Sequence, residues 1–164
     1  MNILQSRQKT PGEKLAFLLA TGLGVGLIPM APGTFGSLWG LLLAAGLQAM
    51  GLHWGVHLGA IFLILALGIP ICGTAAKLFP SKDPGAIVYD EFASLLLVFI
   101  AIPFTWRTAL IGFLLFRLFD IWKPWPVRRL ETLPGGLGVM ADDVGAAILA
   151  AGALWLGMWW TGLA

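Results

Sequence analysis

The chain has 164 residues, of which 59% are hydrophobic and 11% are charged, and its mean hydropathy is +0.89. Soluble domains are about half apolar and about a quarter charged, and so short a chain cannot bury this excess in a soluble core. The net charge is only +2 and no basic tract is present, which excludes a nucleic-acid-binding protein. These values predict an integral membrane protein, and we take residues 1–164 as one domain.

The N-terminal region is polar over residues 1–14 and apolar over residues 15–29. Its first residues lack the small-residue cleavage site of a secretory signal peptide, so we expect no cleaved leader here. The apolar part is short and contains glycines at positions 22, 24 and 26. The next segment, PGTFGS at 32–37, reads as a glycine-rich turn that opens a helix.

Longer apolar runs follow along the rest of the chain, at 38–52, 55–79, 92–104, 108–119 and 144–163. A spanning helix needs about 20 residues. The runs 55–79 and 144–163 are long enough to span. The run 38–52 is long enough if its helix begins near Thr34. The runs 92–104 and 108–119 reach this length only with the polar residues at their ends. The pattern predicts an all-α, multi-pass transmembrane helical bundle with about five spanning helices.

The orientation follows from the positions of lysine and arginine. Of the ten lysine and arginine residues, only Arg107 falls outside when the N-terminus, with Arg7, Lys9 and Lys14, lies in the cytoplasm. Tryptophans fall at both predicted interfaces, as aromatic belts do. Residues 15–29 must then be a re-entrant hairpin or an interfacial helix. The alternative is a sixth crossing with the N-terminus outside.

Seven of the eight acidic residues lie on the predicted cytoplasmic side, and Glu13 lies in the tail. Two adjacent pairs, Asp90-Glu91 and Asp142-Asp143, are predicted at helix starts, and Asp120 closes a helix. One acid per helix would suffice for capping, and two adjacent acids add like-charge repulsion. A divalent cation removes that repulsion, and oxygen ligands of this kind suit Mg²⁺. Capping with solvation remains the alternative.

Basic residues beside these acids predict an anionic ligand. Arg117 lies in an apolar helix, where Asp120 is its nearest partner, and Lys123 lies in the stiff segment WKPWP. For Arg128 and Arg129 we favour the simpler explanation, the positive-inside bias. The glycine-rich segments 32–37 and 133–143 could present N–H groups to phosphate, although bare turns are the commoner structure. The residues together favour metal-assisted attack on a phosphate ester.

Four strings, PGTFGS, AIVYDEF, FRLFDIWKPWP and GGLGVMADDVGAA, occur in this order. Together they resemble the bacterial phosphatidylglycerophosphatase A family over residues 15–150. The resemblance implies a Mg²⁺-dependent lipid phosphatase of the bacterial inner membrane, with its active site facing the cytoplasm. Such an enzyme converts phosphatidylglycerophosphate into phosphatidylglycerol and phosphate in phospholipid biosynthesis.

Carried onto this chain, the resemblance implies a catalytic and metal-binding set and a phosphate-binding set. The first comprises Asp90, Glu91, Asp120, Asp142 and Asp143. The second comprises Thr34, Ser37, Arg117 and Lys123. The expected partners are the lipid substrate and membrane lipids, with no obligate protein partner.

Two alternative functions remain open. The first is a phosphatase of another lipid phosphate, such as a polyprenyl phosphate. The second is a small non-enzymatic transporter with an acidic cation site, which would need acids at mid-membrane depth and an inverted repeat.

Overall fold

The computed structural model describes residues 10–81 and 84–161, so Arg7, Lys9, Lys82 and Asp83 lie outside the described residues. Within these ranges the chain forms seven α-helices, one turn of 3-10 helix at Val25–Leu27 and no strand. The all-α prediction is confirmed. The helices are α1 Pro11–Ala20, α2 Pro32–Ala49, α3 Trp54–Ala76, α4 Tyr89–Val98, α5 Trp106–Trp122, α6 Val127–Leu130 and α7 Gly136–Thr161.

Two helices are long and apolar enough to cross a membrane by length and composition. These are α3, with 23 residues, and α7, with 26 residues, whose apolar 18-residue stretches have mean hydropathies of 2.2 and 1.6. The 18 residues of α2 and the 17 of α5 make helices about 27 and about 26 Å long. These lengths approach the hydrocarbon thickness of a bilayer, about 30 Å.

The N-terminal segment forms a short helix followed by a tight turn. Thr10 and Glu13 cap α1 reciprocally, and α1 ends at Ala20. The chain then turns through Gly22, Leu23 and Gly24, all with positive φ. The Ala20 carbonyl accepts a hydrogen bond of 2.9 Å from the N–H of Val88, which ties the end of α1 to the start of α4. Ten residues make a helix about 15 Å long, half of what a crossing needs.

Glycines on one face of α2 allow α4 to approach its backbone closely. A Cβ at Gly36 would lie 2.7 Å from the Val88 Cβ, and a Cβ at Gly40 would lie 2.8 Å from the Phe92 carbonyl oxygen. Gly33 continues the same helical face toward the N-terminus of α2. All six residues of the segment PGTFGS are therefore helical, so the predicted turn is wrong, and the segment packs α2 against α4.

The prediction of a helix over 92–104 is wrong beyond Val98, because α4 ends there and residues 99–104 are irregular. Pro103 lacks an N–H and disfavours helical backbone at the residue before it. The side chain of Gln48 replaces the missing helical hydrogen bonds. Its Nε2 donates to the carbonyls of Phe99 and Ile102 at 2.9 and 3.0 Å, and its Oε1 accepts from the Phe104 N–H at 2.9 Å.

The predicted start of the last helix is also wrong. Because α7 begins at Gly136, Asp142 and Asp143 lie in its second turn and do not open the helix. A Cβ at Gly136 would overlap the Ile69 carbonyl of α3, and a Cβ at Gly138 would overlap the Leu133 carbonyl. These glycines are needed for close packing, which here outweighs their low helix propensity.

Candidate active site

The predicted acids line one pocket at one end of the bundle. The pocket has a volume of about 1090 Å³ and lies where α3 and α5 end, where α4 and α7 begin, and beside α6. Its charged lining residues are Asp90, Glu91, Asp120, Lys123, Arg128, Arg129, Glu131, Asp142 and Asp143. The structure therefore brings all five acids of the predicted metal-binding set together.

Three of these acids lie close enough to bind one ion. Asp90, Glu91 and Asp143 can each offer one carboxylate oxygen, and these oxygens lie within 4.8 Å of one another. Glu91 Oε2 and Asp143 Oδ2 are buried and have no hydrogen-bond partner among the described residues. Buried charges without partners are costly. A hard divalent cation such as Mg²⁺ fits this oxygen-only donor set.

Helix capping accounts for little of this arrangement. Asp90 Oδ1 accepts a hydrogen bond of 3.1 Å from the Glu91 N–H in the first turn of α4. Asp143 is the eighth residue of α7, where the backbone N–H groups are already bonded within the helix. Its carboxylate therefore has no helix end to cap.

Arg117 contacts two of the pocket's acids and is not itself part of the pocket lining. Its Nη1 donates to Asp120 Oδ2 at 2.6 Å and lies 3.9 Å from Glu91 Oε1. The predicted pairing of Arg117 with Asp120 is confirmed. The guanidinium therefore places positive charge beside Asp120 and Glu91 without lining the pocket.

Lys123 reaches across the pocket from the end of α5 to α7. Its Nζ lies 2.5 Å from Asp142 Oδ2 and 3.9 Å from Glu131 Oε1. Burial by itself would lower the pKa of Lys123, but the hydrogen bond and charge of Asp142 raise this pKa well above its usual range. Lys123 therefore stays protonated at neutral pH and holds one oxygen of Asp142. The other oxygen, Asp142 Oδ1, is buried and has no partner among the described residues.

The backbone of Lys123 is itself unusual. It caps α5 in the left-handed conformation, with φ of 46° and ψ of 63°. Glycine is the usual residue at this position, since a side chain there costs free energy. Lys123 nevertheless occupies this position, and its side chain lies beside Asp142.

Thr34 and Ser37, predicted to bind phosphate, lie in the first turns of α2 and do not line the pocket. The buried Ser37 hydroxyl donates to the Gly33 carbonyl at 2.9 Å. Instead, Gly33 lies against the site, because a Cβ there would overlap Glu91 Oε1 and come within 3.1 Å of Arg117 Nη1. Sequence reasoning missed Gly33, although its spacing from Gly36 and Gly40 on one helical face was a usable signal.

Sequence reasoning also gave Arg128 and Arg129 no role in the site, yet both line the pocket. Trp122 and Trp125 line it as well, and they are 67% and 74% exposed. The guanidinium of Arg129 lies over the Trp125 ring, 5.7 Å from its centroid. Exposed tryptophans beside arginines are typical of a membrane interface.

Comparison with known proteins gives one consistent family. The family model described as phosphatidylglycerophosphatase A matches residues 18–158. The phosphatidylglycerophosphatase A of Escherichia coli is 37% identical over 145 residues, covering 84% of this chain and 80% of that protein. The protein of the same name from Haemophilus influenzae is 45% identical over 137 residues, covering 81% of this chain and 82% of that protein.

A third relative carries a different name. A protein of Bacteroides thetaiotaomicron, provisionally named a phosphatidylinositol-3-phosphatase, is 34% identical over 141 residues, covering 82% of this chain and 87% of that protein. No solved structure matches the chain significantly.

Proposed function

The chain belongs to the phosphatidylglycerophosphatase A family, and on that premise we propose that it removes the terminal phosphate of phosphatidylglycerophosphate in a Mg²⁺-dependent reaction. The products are phosphatidylglycerol and inorganic phosphate. The observation that carries the proposal is the set of Asp90, Glu91 and Asp143, with unpartnered buried oxygens, beside a pocket large enough for a lipid headgroup. The enzyme is thus a phosphoric monoester hydrolase.

Asp90, Glu91 and Asp143 would hold the Mg²⁺ ion, with Asp120 and Asp142 close beside them. When bound, the ion supplies charge neutralisation for the phosphate oxygens and polarises a water molecule. Arg117 keeps Asp120 in place and compensates part of the charge of Glu91. Gly33 leaves the space that the Glu91 carboxylate occupies.

Asp142 is our candidate for the general base. Lys123 holds its Oδ2, which fixes the carboxylate and leaves Oδ1 to accept a proton. As the water oxygen bonds to phosphorus, the bond from phosphorus to the glycerol oxygen breaks. The proton taken by Asp142 then passes to the departing glycerol oxygen. Lys123, protonated at neutral pH, contributes positive charge beside the reacting phosphate.

The membrane arrangement is part of the same proposal. We assign five crossings to α2, α3, α4 with residues 99–104, α5 and α7, in the bacterial inner membrane. Residues 10–28 stay on the cytoplasmic side as a hairpin, which the short α1 supports. Gln48 supports the third crossing, α4 with residues 99–104, since irregular backbone at membrane depth must be satisfied by protein groups. The active site then faces the cytoplasm.

Cysteine labelling tests this topology. Cys72 is the chain's one cysteine and is buried, so a Cys72→Ala background allows single reporters at Glu131 and at the exposed Met50. A membrane-impermeant maleimide applied to intact spheroplasts should label Met50→Cys and spare Glu131→Cys until the membrane is opened. The reverse pattern would invert the orientation. Labelling of both reporters from outside would refute an odd number of crossings between these positions.

A panel of lipid phosphates tests the substrate. The Bacteroides relative favours one competitor, phosphatidylinositol 3-phosphate, and polyprenyl phosphate and phosphatidate complete the panel. In one neutral detergent, phosphatidylglycerophosphate should give a kcat/KM at least about tenfold above the others. A higher kcat/KM for another lipid would overturn the substrate assignment. No phosphate release from any lipid would overturn the phosphatase assignment.

A further inference from the structure

The cations around the pocket fall into two groups. Arg117 and Lys123 already form ion pairs with Asp120 and Asp142. Arg128 and Arg129 line the pocket but form no ion pair with any acid in the described part of the chain. A cation that already forms an ion pair binds an incoming anion less strongly than an unpaired cation does. The unpaired arginines are therefore the pocket's available binding groups for a second negative charge on the substrate.

The short helix that carries these arginines is fixed against the helix that carries the catalytic acids. Val127 is buried, and Val127 and Leu130 of α6 pack on Gly145 of α7, where a Cβ would lie 2.9 Å from a Leu130 methyl group. Gly145 lies two residues beyond Asp143. The backbone that carries Arg128 and Arg129 therefore has a fixed position relative to the carboxylates.

The proposed substrate carries two phosphates with different chemistry. The terminal phosphomonoester is the group that is removed. An internal phosphodiester joins the headgroup glycerol to the diacylglycerol and must lie on the membrane side of the reacting phosphate. The exposed Trp122 and Trp125 mark that side of the pocket, and Arg129 lies over Trp125.

We propose that Arg128 and Arg129 bind the internal phosphodiester of the substrate and thereby select lipids that carry two phosphates in this order. This inference rests on the proposed function and adds a second anion subsite to it. Guanidinium groups suit the role because they present several donors in one plane to phosphate oxygens. A lipid that lacks the phosphodiester gains nothing from this subsite.

The test uses the Arg128→Gln/Arg129→Gln double variant in the full chain, purified in a neutral detergent. Arg107→Gln is the matched control, because Arg107 also lies over the ring of a preceding tryptophan, at 5.3 Å, but lies outside the pocket. Phosphate release from phosphatidylglycerophosphate is measured with two competitors. Phosphatidylglycerol carries only the diester, and a non-hydrolysable phosphonate analogue of phosphatidate carries only a monoester-like group.

The double variant should raise KM for phosphatidylglycerophosphate about tenfold or more, the loss expected for charge-assisted hydrogen bonds. Its kcat should stay within about twofold, since the acids are untouched. The inhibition constant of phosphatidylglycerol should rise as KM does, while that of the phosphonate stays within about twofold. The KM of the Arg128→Lys/Arg129→Lys variant should lie between those of the wild type and the glutamine double variant. Arg107→Gln should have the KM of the wild type.

Three outcomes would overturn the subsite. The first is an unchanged KM in the double variant. The second is an equal weakening of both competitors, which would mean general attraction of anionic lipid. The third is a loss of kcat at constant KM. Failure of the proposed function is a different result, because the wild type itself would then release no phosphate from phosphatidylglycerophosphate.

Discussion

Polar groups interrupt the apolar bundle at two opposite ends, and they differ in how far they are hydrogen-bonded. At one end Gln48 meets the irregular segment 99–104, and its amide makes three hydrogen bonds to backbone groups. At the other end lie the acidic residues of the pocket. There Glu91 Oε2, Asp142 Oδ1 and Asp143 Oδ2 are buried without a partner among the described residues.

This difference separates stabilising polar groups from functional ones. Most buried polar atoms in proteins are hydrogen-bonded, because an unpaired one costs free energy. The Gln48 end follows that rule and therefore needs no ligand. The acid end departs from it, and departures of this kind are expected where a ligand completes the site. Substitutions at the first end should change stability, and those at the second should change activity.

Asp143→Asn should give the largest effect. Activity should fall about 100-fold to 1000-fold, because the substitution removes a charge from the metal-binding set. The melting temperature should stay the same or rise, since like-charge repulsion with Asp90 and Glu91 is relieved. Phosphate release and thermal unfolding in detergent measure both. Glu131→Gln, which removes an acid of the same pocket from outside this set, is the control and should keep most activity. If Asp143→Asn keeps a third of wild-type turnover, the site is misassigned.

Gln48→Leu should show the opposite behaviour. Its free energy of unfolding should fall by about 3 kcal/mol, because two carbonyls and one N–H lose their buried partner. The kcat of the folded fraction should stay within about twofold. Gln48→Glu keeps an acceptor for the Phe104 N–H and loses both donors, so its loss should also be large. An unchanged stability together with lost activity would reverse the assignment of the two ends.

Gly33→Ala should lower activity by about tenfold, since the added Cβ displaces the Glu91 carboxylate and disturbs Arg117. Gly46→Ala in the same helix is the matched control, because a Cβ there meets nothing within 4 Å. It should stabilise α2 by up to about 1 kcal/mol and leave turnover unchanged. Equal kinetics in the two variants would show that Gly33 does not shape the site.

Ser37→Ala should have the smallest effect. Its hydroxyl donates within α2 and does not line the pocket. Turnover should therefore change less than about threefold, and stability by about 1 kcal/mol at most. A loss of 100-fold in a well-folded variant would restore the phosphate-binding role that the sequence predicted for Ser37.

The sequence predicted the acid end better than the Gln48 end. The acids stand out in an apolar chain, and Arg117 and Asp120 lie three residues apart on one helix, so their pairing is local. The hydrogen bonds of Gln48 reach residues that lie between 51 and 56 positions away in the sequence, so no local pattern predicts them. The start of α7 was missed for a similar reason, because Gly136 packs against Ile69 and Gly73 of α3, which are distant in sequence.

A metal titration of phosphatidylglycerophosphate hydrolysis tests the central claim most directly. The purified protein is first stripped with excess chelator, and phosphate release is then followed as Mg²⁺ is added back. We predict no turnover in chelator, full recovery with Mg²⁺, and no recovery in Asp143→Asn at any concentration that saturates the wild type. Full turnover of the wild type in excess chelator would contradict a metal site at Asp90, Glu91 and Asp143.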